Sequence, residues 1–306
     1  MSATAPIRSK DAYSEDQISA YLTYISFPTA KHPRVAISET RAAAGLEYLK
    51  LLQAYQLAAD DLFEKIIGSK KTESGSGRGG YCMENNLFFG TVLKTLGYEV
   101  VPIGARVYAA AGRDLKGSYT GLNHQVNIIF FDDAPYIVDV GFGGNCATRP
   151  LPLVHDQPAK WGATSSDNRL IYQEPVNRAL QGLWILEHRI TNSHDWAPLY
   201  CFSVVELWPQ DLQIMNFAIY TGGTSWFTYR ILCLKMILDE ETEEIIGIVI
   251  MDGGNVKKRV HGKVEILREC TTESQRLEAL EKWFGIVLSE KQQTAIKGLV
   301  TALKSD

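Results

Sequence analysis

The sequence is poor in the features that mark secreted, metal-binding and membrane-spanning proteins. Its 306 residues include only five cysteines, an odd and scattered set that excludes a disulfide framework, and no CxxC pair indicates zinc or redox chemistry. The longest apolar runs, such as residues 245–251, are far too short to cross a bilayer. The polar N-terminus lacks the apolar core of a signal peptide. We therefore expect a cytoplasmic protein that binds no metal.

The chain also lacks an excess of basic charge. Lysine and arginine number 31 against 35 acidic residues, which gives a net charge of −4. Nucleic-acid-binding proteins need a clustered basic surface, so this class is excluded. The content of 45% hydrophobic and 22% charged residues is typical of a soluble globular protein, and the length allows one large domain or two to three small ones.

The first hundred residues carry helix signals. Ser14 and Gln17 have the spacing of a capping box, and apolar residues then recur at helical intervals. A polar, glycine-rich loop is predicted at residues 69–80. Further helices are predicted over residues 38–57, 60–67 and 81–97, the last with Gly97 as its C-terminal cap.

From Tyr98 onward, β-branched and aromatic segments separated by turn residues predict antiparallel strands. Residues 132–135 and 252–255 are predicted to form hairpin turns. After Thr272 the pattern returns to a helix. Helices, then antiparallel strands, then a terminal helix predict an α+β fold.

Cys82 is the strongest candidate for a reactive residue. It stands where the glycine-rich loop is predicted to enter a helix, and the N–H groups and dipole of a helix N-terminus stabilise a thiolate. Gly79 and Gly80 would allow the backbone to approach a ligand closely. The alternative is that Cys82 is a buried small apolar residue, as most single cysteines are.

Two candidate partners follow downstream. His124 begins one predicted strand and Asp139 lies late in the next, on opposite sides of a turn centred near residue 133. About nine residues separate His124 from this centre and about six separate Asp139, so a bulge or longer loop is expected to bring them together. Asp139 would orient the imidazole and His124 would take the thiol proton. The order Cys, His, Asp matches a papain-type triad, although a lone histidine or strand-end aspartate usually has only a structural role.

A second motif only imitates a dinucleotide-binding site. Residues 75–80 spell G-x-G-x-x-G, and Glu99 follows at a distance that imitates a dinucleotide-binding fingerprint. The fingerprint requires a hydrophobic strand before the glycines, and the polar residues 69–74 cannot form one. We therefore reject a nucleotide-binding fold.

Residues 78–100, RGGYCMENNLFFGTVLKTLGYEV, resemble the signature of the arylamine N-acetyltransferases, which is RGG-aromatic-C, a helix and a Gly-aromatic pair. Residues 104–107 and 123–144 resemble the strand, the His segment and the D-V-G-F-G segment that follow in this family. The sequence departs from the family at residues 62–65, where LFEK stands in place of P-F-E-N.

The resemblance implies a three-part fold with a papain-like catalytic core. A helical bundle over residues 1–97 would carry the nucleophile, a β-barrel-like domain over 98–210 the His and Asp, and an α/β lid would follow over 211–306. It also implies substrate-side roles for Phe142, Gly143, Ser225 and Phe227, the last two near coenzyme A. Arg78 and Glu64 would form a supporting ion pair.

The implied activity is ping-pong transfer of an acetyl or other short acyl group from acyl-CoA to an arylamine or arylhydrazine, as in xenobiotic metabolism. Coenzyme A would be a co-substrate, and no cofactor would stay bound. The resemblance ranks acetyl-CoA first as donor, propionyl-CoA second and malonyl-CoA third. Arg106 and Arg78 are the nearest candidates in sequence to hold a malonyl carboxylate.

Two rival functions remain open. A cysteine hydrolase of the papain or transglutaminase type could use the same Cys82, His124 and Asp139 with water as acceptor. A binding domain could keep the fold without catalysis, although an intact triad argues against it. The sequence does not determine the physiological amine or the oligomeric state.

Overall fold

The computed structural model describes residues 12–34, 42–58, 80–110, 117–222 and 229–304. These residues form six helices and twelve strands. The helices are α1 (Glu15–Tyr24), α2 (Ala42–Ala58), α3 (Cys82–Thr95), α4 (Pro209–Thr221), α5 (Glu273–Phe284) and α6 (Glu290–Thr294). The strands are β1 (Glu99–Val107), β2 (His124–Phe131), β3 (Ala134–Val138), β4 (Leu151–Pro152), β5 (Ala159–Lys160), β6 (Asp167–Gln173), β7 (Leu183–Arg189), β8 (Ala197–Glu206), β9 (Leu232–Asp239), β10 (Glu244–Asp252), β11 (Asn255–Val260) and β12 (Lys263–Glu269).

The helices begin and end largely where local chemistry predicts. The capping box is present at α1, since Ser14 accepts from the Gln17 N–H and Gln17 accepts from the Ser14 N–H. Helix α3 ends at Thr95, and Gly97 follows with a φ of 93°, a conformation that favours glycine. The predicted helix at 38–57 is observed as α2, its first residues lying outside the described part of the chain, as does all of the helix predicted at 60–67.

An eight-stranded antiparallel sheet forms the centre of the molecule, in the order β4-β3-β2-β1-β8-β7-β6-β5. Its edges approach each other through the segment after β4. There the Leu153 N–H donates to the Pro135 carbonyl, and the Asp156 N–H donates to the Leu170 carbonyl of β6. The sheet therefore curls into a nearly closed barrel, which confirms the β-barrel-like fold that the family resemblance implied.

The two faces of this sheet pack against different partners. Side chains from α1, α2 and α3 join Ile129 and Val138 in one hydrophobic core. The alternate residues of the same strands, including Val126 and Ile137, fill the barrel interior with Leu186 and Phe202. Because side chains alternate along a strand, β2 and β3 contribute to both cores. Only the thickness of this sheet separates the helices from the barrel interior.

A second antiparallel sheet, in the order β12-β11-β10-β9, follows in the C-terminal part and packs on α5. The predicted turn at residues 252–255 connects β10 to β11, with Asp252 paired to Asn255. The sequence analysis did not predict β4, β5, β6 or α4. Strands β4 and β5 span only two residues each, too few for a hydrophobic period.

The predicted hairpin between His124 and Asp139 is present with a tighter turn than expected. Only Asp132 and Asp133 form the turn, both with positive φ, and residue 134 already pairs with residue 131. The pairing of β2 with β3 runs without a register shift, so the expected bulge is absent. Asp139 lies just beyond the last residue of β3.

Candidate active site

The nucleophile candidate Cys82 is the first residue of α3, directly after the extended N-cap residue Tyr81. The first N–H groups of a helix have no partner within the helix, so they and the helix dipole favour negative charge at this position. The thiol is buried, and its Sγ lies 3.7 Å from the carbonyl oxygen of Asn123. Cys82 therefore lies beside the residue that immediately precedes His124.

His124 and Asp139 form a buried pair. Nε2 of His124 lies 2.7 Å from Oδ2 of Asp139, and the two residues are only 2% and 3% exposed. The register explains the contact: the chain position opposite Asp139 is residue 126, two residues from His124 and on the same face of the sheet. Diagonal neighbours of this kind are within reach of long side chains, so no bulge is needed.

The carboxylate of Asp139 is held by further donors. Its Oδ1 accepts hydrogen bonds from the Asn86 side-chain amide at 2.8 Å, the Gly141 N–H at 2.8 Å and the Phe142 N–H at 3.1 Å. Donors to a charged carboxylate stabilise the ionised form, and despite burial they and His124 lower the pKa of Asp139. The aspartate therefore stays ionised in a site from which water is excluded.

The charge on His124 follows from this arrangement. Burial by itself lowers the pKa of His124, but the Asp139 carboxylate and Cys82 raise it, and the net effect is a pKa of about 10. At neutral pH the imidazole is therefore protonated. An imidazolium between a carboxylate and a thiol at a helix N-terminus stabilises a thiolate, the reactive form of cysteine.

A second buried histidine, His188, shows that burial by itself does not produce a protonated imidazole. It is 3% exposed, and both ring nitrogens lack a hydrogen-bond partner among the described residues. Burial, followed by the charge of Arg259, lowers the pKa of His188 to about 4. Of two equally buried histidines, His124 is therefore protonated at neutral pH and His188 is neutral, because only His124 is hydrogen-bonded to a carboxylate.

Two aromatic rings flank the imidazole of His124. The ring of Phe142 lies 5.3 Å from that of His124 in an edge-on arrangement, and the ring of Tyr200 lies 5.0 Å away. The two aromatic rings are 5.1 Å apart. Phe142 packs against the barrel core and also contacts the His124 imidazole.

Asn86 is the main residue that the sequence analysis missed. Besides Asp139, its amide donates to the Gln125 carbonyl at 2.6 Å, and its Oδ1 accepts from the Val140 N–H at 2.8 Å. It therefore ties α3 to both strands of the catalytic hairpin. A signal was present, because Asn86 is four residues after Cys82 and hence on the same helix face.

The remaining predicted site residues are only partly described. Gly143 has a φ of 113°, and a β-carbon there would lie 3.3 Å from the Leu234 side chain of the C-terminal sheet. Glu64, Arg78, Ser225 and Phe227 lie outside the described residues, as does Gly79. Gly80 is closely approached by α3 itself, since a β-carbon would lie 2.5 Å from the Glu84 carboxylate.

Arg106 is not placed to hold a malonyl carboxylate, the role that the sequence suggested for it. Its neighbour Ala105 pairs with His124, so Ala105 shares the catalytic face of the sheet and Arg106 lies on the opposite face. Arg106 is also exposed. The proposal that it holds an acyl carboxylate near Cys82 is therefore wrong.

Within the described ranges, no group of three or more His, Cys, Asp or Glu residues is arranged to hold a metal ion. In the same ranges no helix has the length and apolarity needed to cross a membrane.

Comparison with known proteins identifies related chains. A family model described as N-acetyltransferase matches residues 47–293. The N-malonyltransferase FDB2 of Fusarium pseudograminearum (strain CS3096) is 30% identical over 323 residues, which cover 93% of this chain and 92% of the relative. An arylamine N-acetyltransferase of Mycolicibacterium smegmatis is 26% identical over 290 residues, which cover 89% of this chain and 93% of the relative.

Solved structures share the fold. The arylamine N-acetyltransferase of Salmonella typhimurium superposes with a TM-score of 0.70 at 22% identity and covers 93% of this chain and 98% of its own. The Mycobacterium marinum enzyme in complex with CoA has a TM-score of 0.65 at 23% identity, with 91% and 93% covered. Since the family model extends over most of the sequence and a relative at 30% identity covers nearly all of it, the chain belongs to the arylamine N-acetyltransferase family.

Proposed function

We propose that this protein transfers a short acyl group from acyl-coenzyme A to the nitrogen of an arylamine or arylhydrazine through a thioester on Cys82. The observation that carries the proposal is the buried His124–Asp139 pair, joined at 2.7 Å, beside a cysteine at a helix N-terminus. Family membership supports acyl transfer, and a related fold in complex with CoA supports coenzyme A as the acyl carrier.

In the first half-reaction the Cys82 thiolate attacks the carbonyl carbon of the donor thioester. A new C–S bond forms, the carbonyl electrons move to oxygen, and the bond to the coenzyme A sulfur then breaks. The departing thiolate takes the proton from the His124 imidazolium and leaves as the free thiol. N–H groups at the start of α3 are the proposed donors to the transient oxyanion.

In the second half-reaction the amine nitrogen attacks the Cys82 thioester, His124 accepts the amine proton, and the Cys82 thiolate leaves. The electrostatics support this change of role. Cys82 is one of the two groups that raise the pKa of His124. Acylation removes this interaction and so lowers the pKa of His124, and the imidazole has already given its proton to coenzyme A, so it can act as the base in the acyl-enzyme.

We propose that coenzyme A lies along one row of side chains that crosses the strands of the C-terminal sheet. Leu234 pairs with Ile250, Ile250 with Lys257, and Lys257 with Ile266, so the four side chains cross one face of the sheet. The row begins beside Gly143, and Leu234, Lys257 and Ile266 are exposed. Apolar side chains suit the pantetheine arm, and an ammonium group suits a phosphate.

The three-part division at residues 1–97, 98–210 and 211–306 fits this assignment. The first part supplies Cys82, the second His124 and Asp139, and the third the row that includes Lys257. In the proposed complex Phe142 and Gly143 would lie between the acyl group and the row. We also propose that the protein acts in the cytoplasm, where acyl-CoA is available.

Malonyl-CoA is a second candidate for the donor. The specific observation in its favour is that a relative at 30% identity over 93% of the chain is named an N-malonyltransferase. Acetyl-CoA remains the first candidate on the sequence motifs. The two are separated by comparing kcat/KM for acetyl-, propionyl- and malonyl-CoA with one arylamine such as an aminophenol. A preference of about tenfold corresponds to about 1.4 kcal/mol in transition-state binding.

The test of the whole proposal is the mass of the protein after incubation with each acyl-CoA in the absence of amine. We expect a gain of one acyl group in the wild type and none in Cys82→Ser. Addition of an arylamine should then remove the group and yield the N-acyl product. Rapid loss of the acyl group to water, with no amide product, would favour the hydrolase instead.

A further inference from the structure

A second cysteine contacts the catalytic carboxylate. Cys146 lies on the loop after Asp139 and is buried, and its Sγ is 3.3 Å from Oδ2 of Asp139. This is the same oxygen that lies 2.7 Å from Nε2 of His124. Because an ionised carboxylate has no proton to give, the thiol S–H is the donor in this contact.

The protonation state of Cys146 agrees with a donor role. Burial and then the charge of Asp139 raise the pKa of the Cys146 thiol well above its ordinary value. The group therefore keeps its proton at neutral pH and is not a second nucleophile. The Tyr200 hydroxyl lies 4.0 Å from the same sulfur, and its ring packs on His124.

The two oxygens of Asp139 are held unequally. Oδ1 accepts from Asn86 and from the N–H groups of Gly141 and Phe142. Oδ2 lies at hydrogen-bond distance from His124 and Cys146, and the Tyr200 hydroxyl also interacts with the carboxylate. Without the thiol, Oδ2 would lose one of its few donors in a buried site, where a charged carboxylate is costly to leave under-satisfied.

We propose that Cys146 is a positioning residue, whose S–H donates to Oδ2 of Asp139 and thereby holds the carboxylate ionised and aimed at His124. The inference rests on the proposed function, in which Asp139 orients His124 for Cys82. Cys146 thus acts on Cys82 through two intervening side chains and does not touch the reacting atoms.

The proposal predicts a shift in pH dependence. The titratable groups that face Asp139 are His124 from β2, with Cys82 of α3 beyond it, Tyr200 from β8 and Cys146 from its own loop. Loss of a donor to the charged form of a carboxylate raises its pKa. The acid limb of Cys82 reactivity should therefore move to higher pH when the Cys146 proton is removed.

The experiment measures alkylation of Cys82 by iodoacetamide between pH 4 and 9 in four proteins, with peptide mapping to identify the labelled cysteine. The variants are Cys146→Ala, which removes the donor, Cys146→Ser, which replaces it, and Cys201→Ala as control. Cys201 is equally buried on β8 and pairs with Arg106, on the face opposite to the triad. Thermal unfolding of each variant verifies the fold.

We expect Cys146→Ala to slow alkylation near pH 6 by about fivefold, which corresponds to about 1 kcal/mol, the order of one ordinary hydrogen bond, because a thiol is a weak donor. The acid limb should move to higher pH. Cys146→Ser and Cys201→Ala should stay close to the wild type. If Cys146→Ala does not fold, Cys146→Val takes its place with the same expected result.

An unchanged profile in Cys146→Ala, or an equal shift in the serine variant, would overturn the proposal. Alkylation needs no acyl-CoA, so this outcome is independent of the acyl-transfer test. If the wild type fails to become acylated by any donor, the proposed function fails while the contribution of Cys146 to Cys82 reactivity can still be measured.

Discussion

Gly141 lies directly against the main chain of Cys82: a β-carbon on Gly141 would be 2.5 Å from the Cys82 Cα atom and 2.9 Å from the Asn86 side-chain nitrogen. The loop that follows the catalytic aspartate is therefore packed onto the first turn of the helix that carries the nucleophile. No side chain fits between them without moving one of these backbones, because a Cα atom cannot rotate away.

We expect Gly141→Ala to displace α3 from the His124–Asp139 pair and to slow Cys82 acylation by about 100-fold, the effect of a misplacement of about 1 Å. The overpacking should also cost about 1–3 kcal/mol in the free energy of unfolding. Single-turnover acylation and thermal unfolding measure the two effects. Gly121→Ala is the matched control, since nothing lies within 4 Å of its added carbon. Equal rates in the two variants would contradict the contact.

Asn86 is expected to matter for both stability and rate. Asn86→Ala removes the hydrogen bonds of this side chain to the Gln125 carbonyl and the Val140 N–H, and one of the three donors to Oδ1 of Asp139, all in a buried site. We expect a loss of about 3 kcal/mol in unfolding free energy, since a buried unsatisfied polar group costs about 1–3 kcal/mol. Denaturant unfolding measures this loss. A variant with wild-type stability and acylation rate would show that these hydrogen bonds contribute little.

The reactivity of Cys82 should be almost independent of pH near neutrality. An ordinary thiol with a pKa of about 8.5 reacts about tenfold more slowly for each pH unit below that value. With His124 protonated up to a pKa of about 10, we expect the alkylation rate of Cys82 to change little between pH 6 and 8. Asp139→Asn should restore a steep dependence, because a neutral amide does not stabilise the imidazolium.

Cys233 provides an internal control for this experiment. It is partly exposed, and burial raises its pKa to about 11. Its labelling in the same samples should therefore increase steadily with pH. Parallel profiles for Cys82 and Cys233 would show that Cys82 has no ion-pair partner.

The His124–Asp139 pair should stabilise the fold in a defined pH window. The pKa of His124 is raised from about 6.5 to about 10, so its contribution is fully present below 6.5 and is lost as the pH rises towards 10. The pKa of Asp139 is lowered, so its contribution is present above about 3.8 and is lost in stronger acid. Both contributions to the free energy of unfolding are fully present between about pH 4 and 6.5.

We therefore expect the wild type to exceed Asp139→Asn in unfolding free energy by about 3 kcal/mol near pH 6, the order for a broken buried ion pair. The difference should shrink as the pH is raised to 9. Unfolding curves at pH 6, 7.5 and 9 measure it. A difference that does not change with pH would show that His124 is neutral in the folded protein.

Lys257 and Lys258 are neighbours on β11 that lie on opposite faces of the C-terminal sheet, since Lys257 pairs with Ile250 and Lys258 with Val249. If coenzyme A follows the row that contains Lys257, Lys257→Ala should raise KM for acyl-CoA by about fivefold, which corresponds to about 1 kcal/mol, and leave kcat unchanged. Steady-state kinetics with both variants test this. Equal changes in Lys258→Ala would show a general charge effect.

The sequence by itself determined the elements whose causes lie within a few residues. The Ser14–Gln17 capping box, the glycine after α3 and the turn at Asp132–Asp133 each depend on one local conformation or hydrogen bond, and each is present. The position of Cys82 at a helix start belongs to the same class. The order of helices and alternating strands was likewise sufficient to predict the α+β fold.

Tertiary structure decided which side chains meet. Asn86 contacts Asp139 across 53 positions, and Arg106 is directed away from the site because β1 pairs with β2 in a particular register. The contact of Gly141 with Cys82 and the thiol of Cys146 beside Asp139 depend on how α3 and the catalytic loop pack on the barrel. Such contacts depend on the packing of the whole chain, and a shift of one residue in register would turn each side chain to the other face.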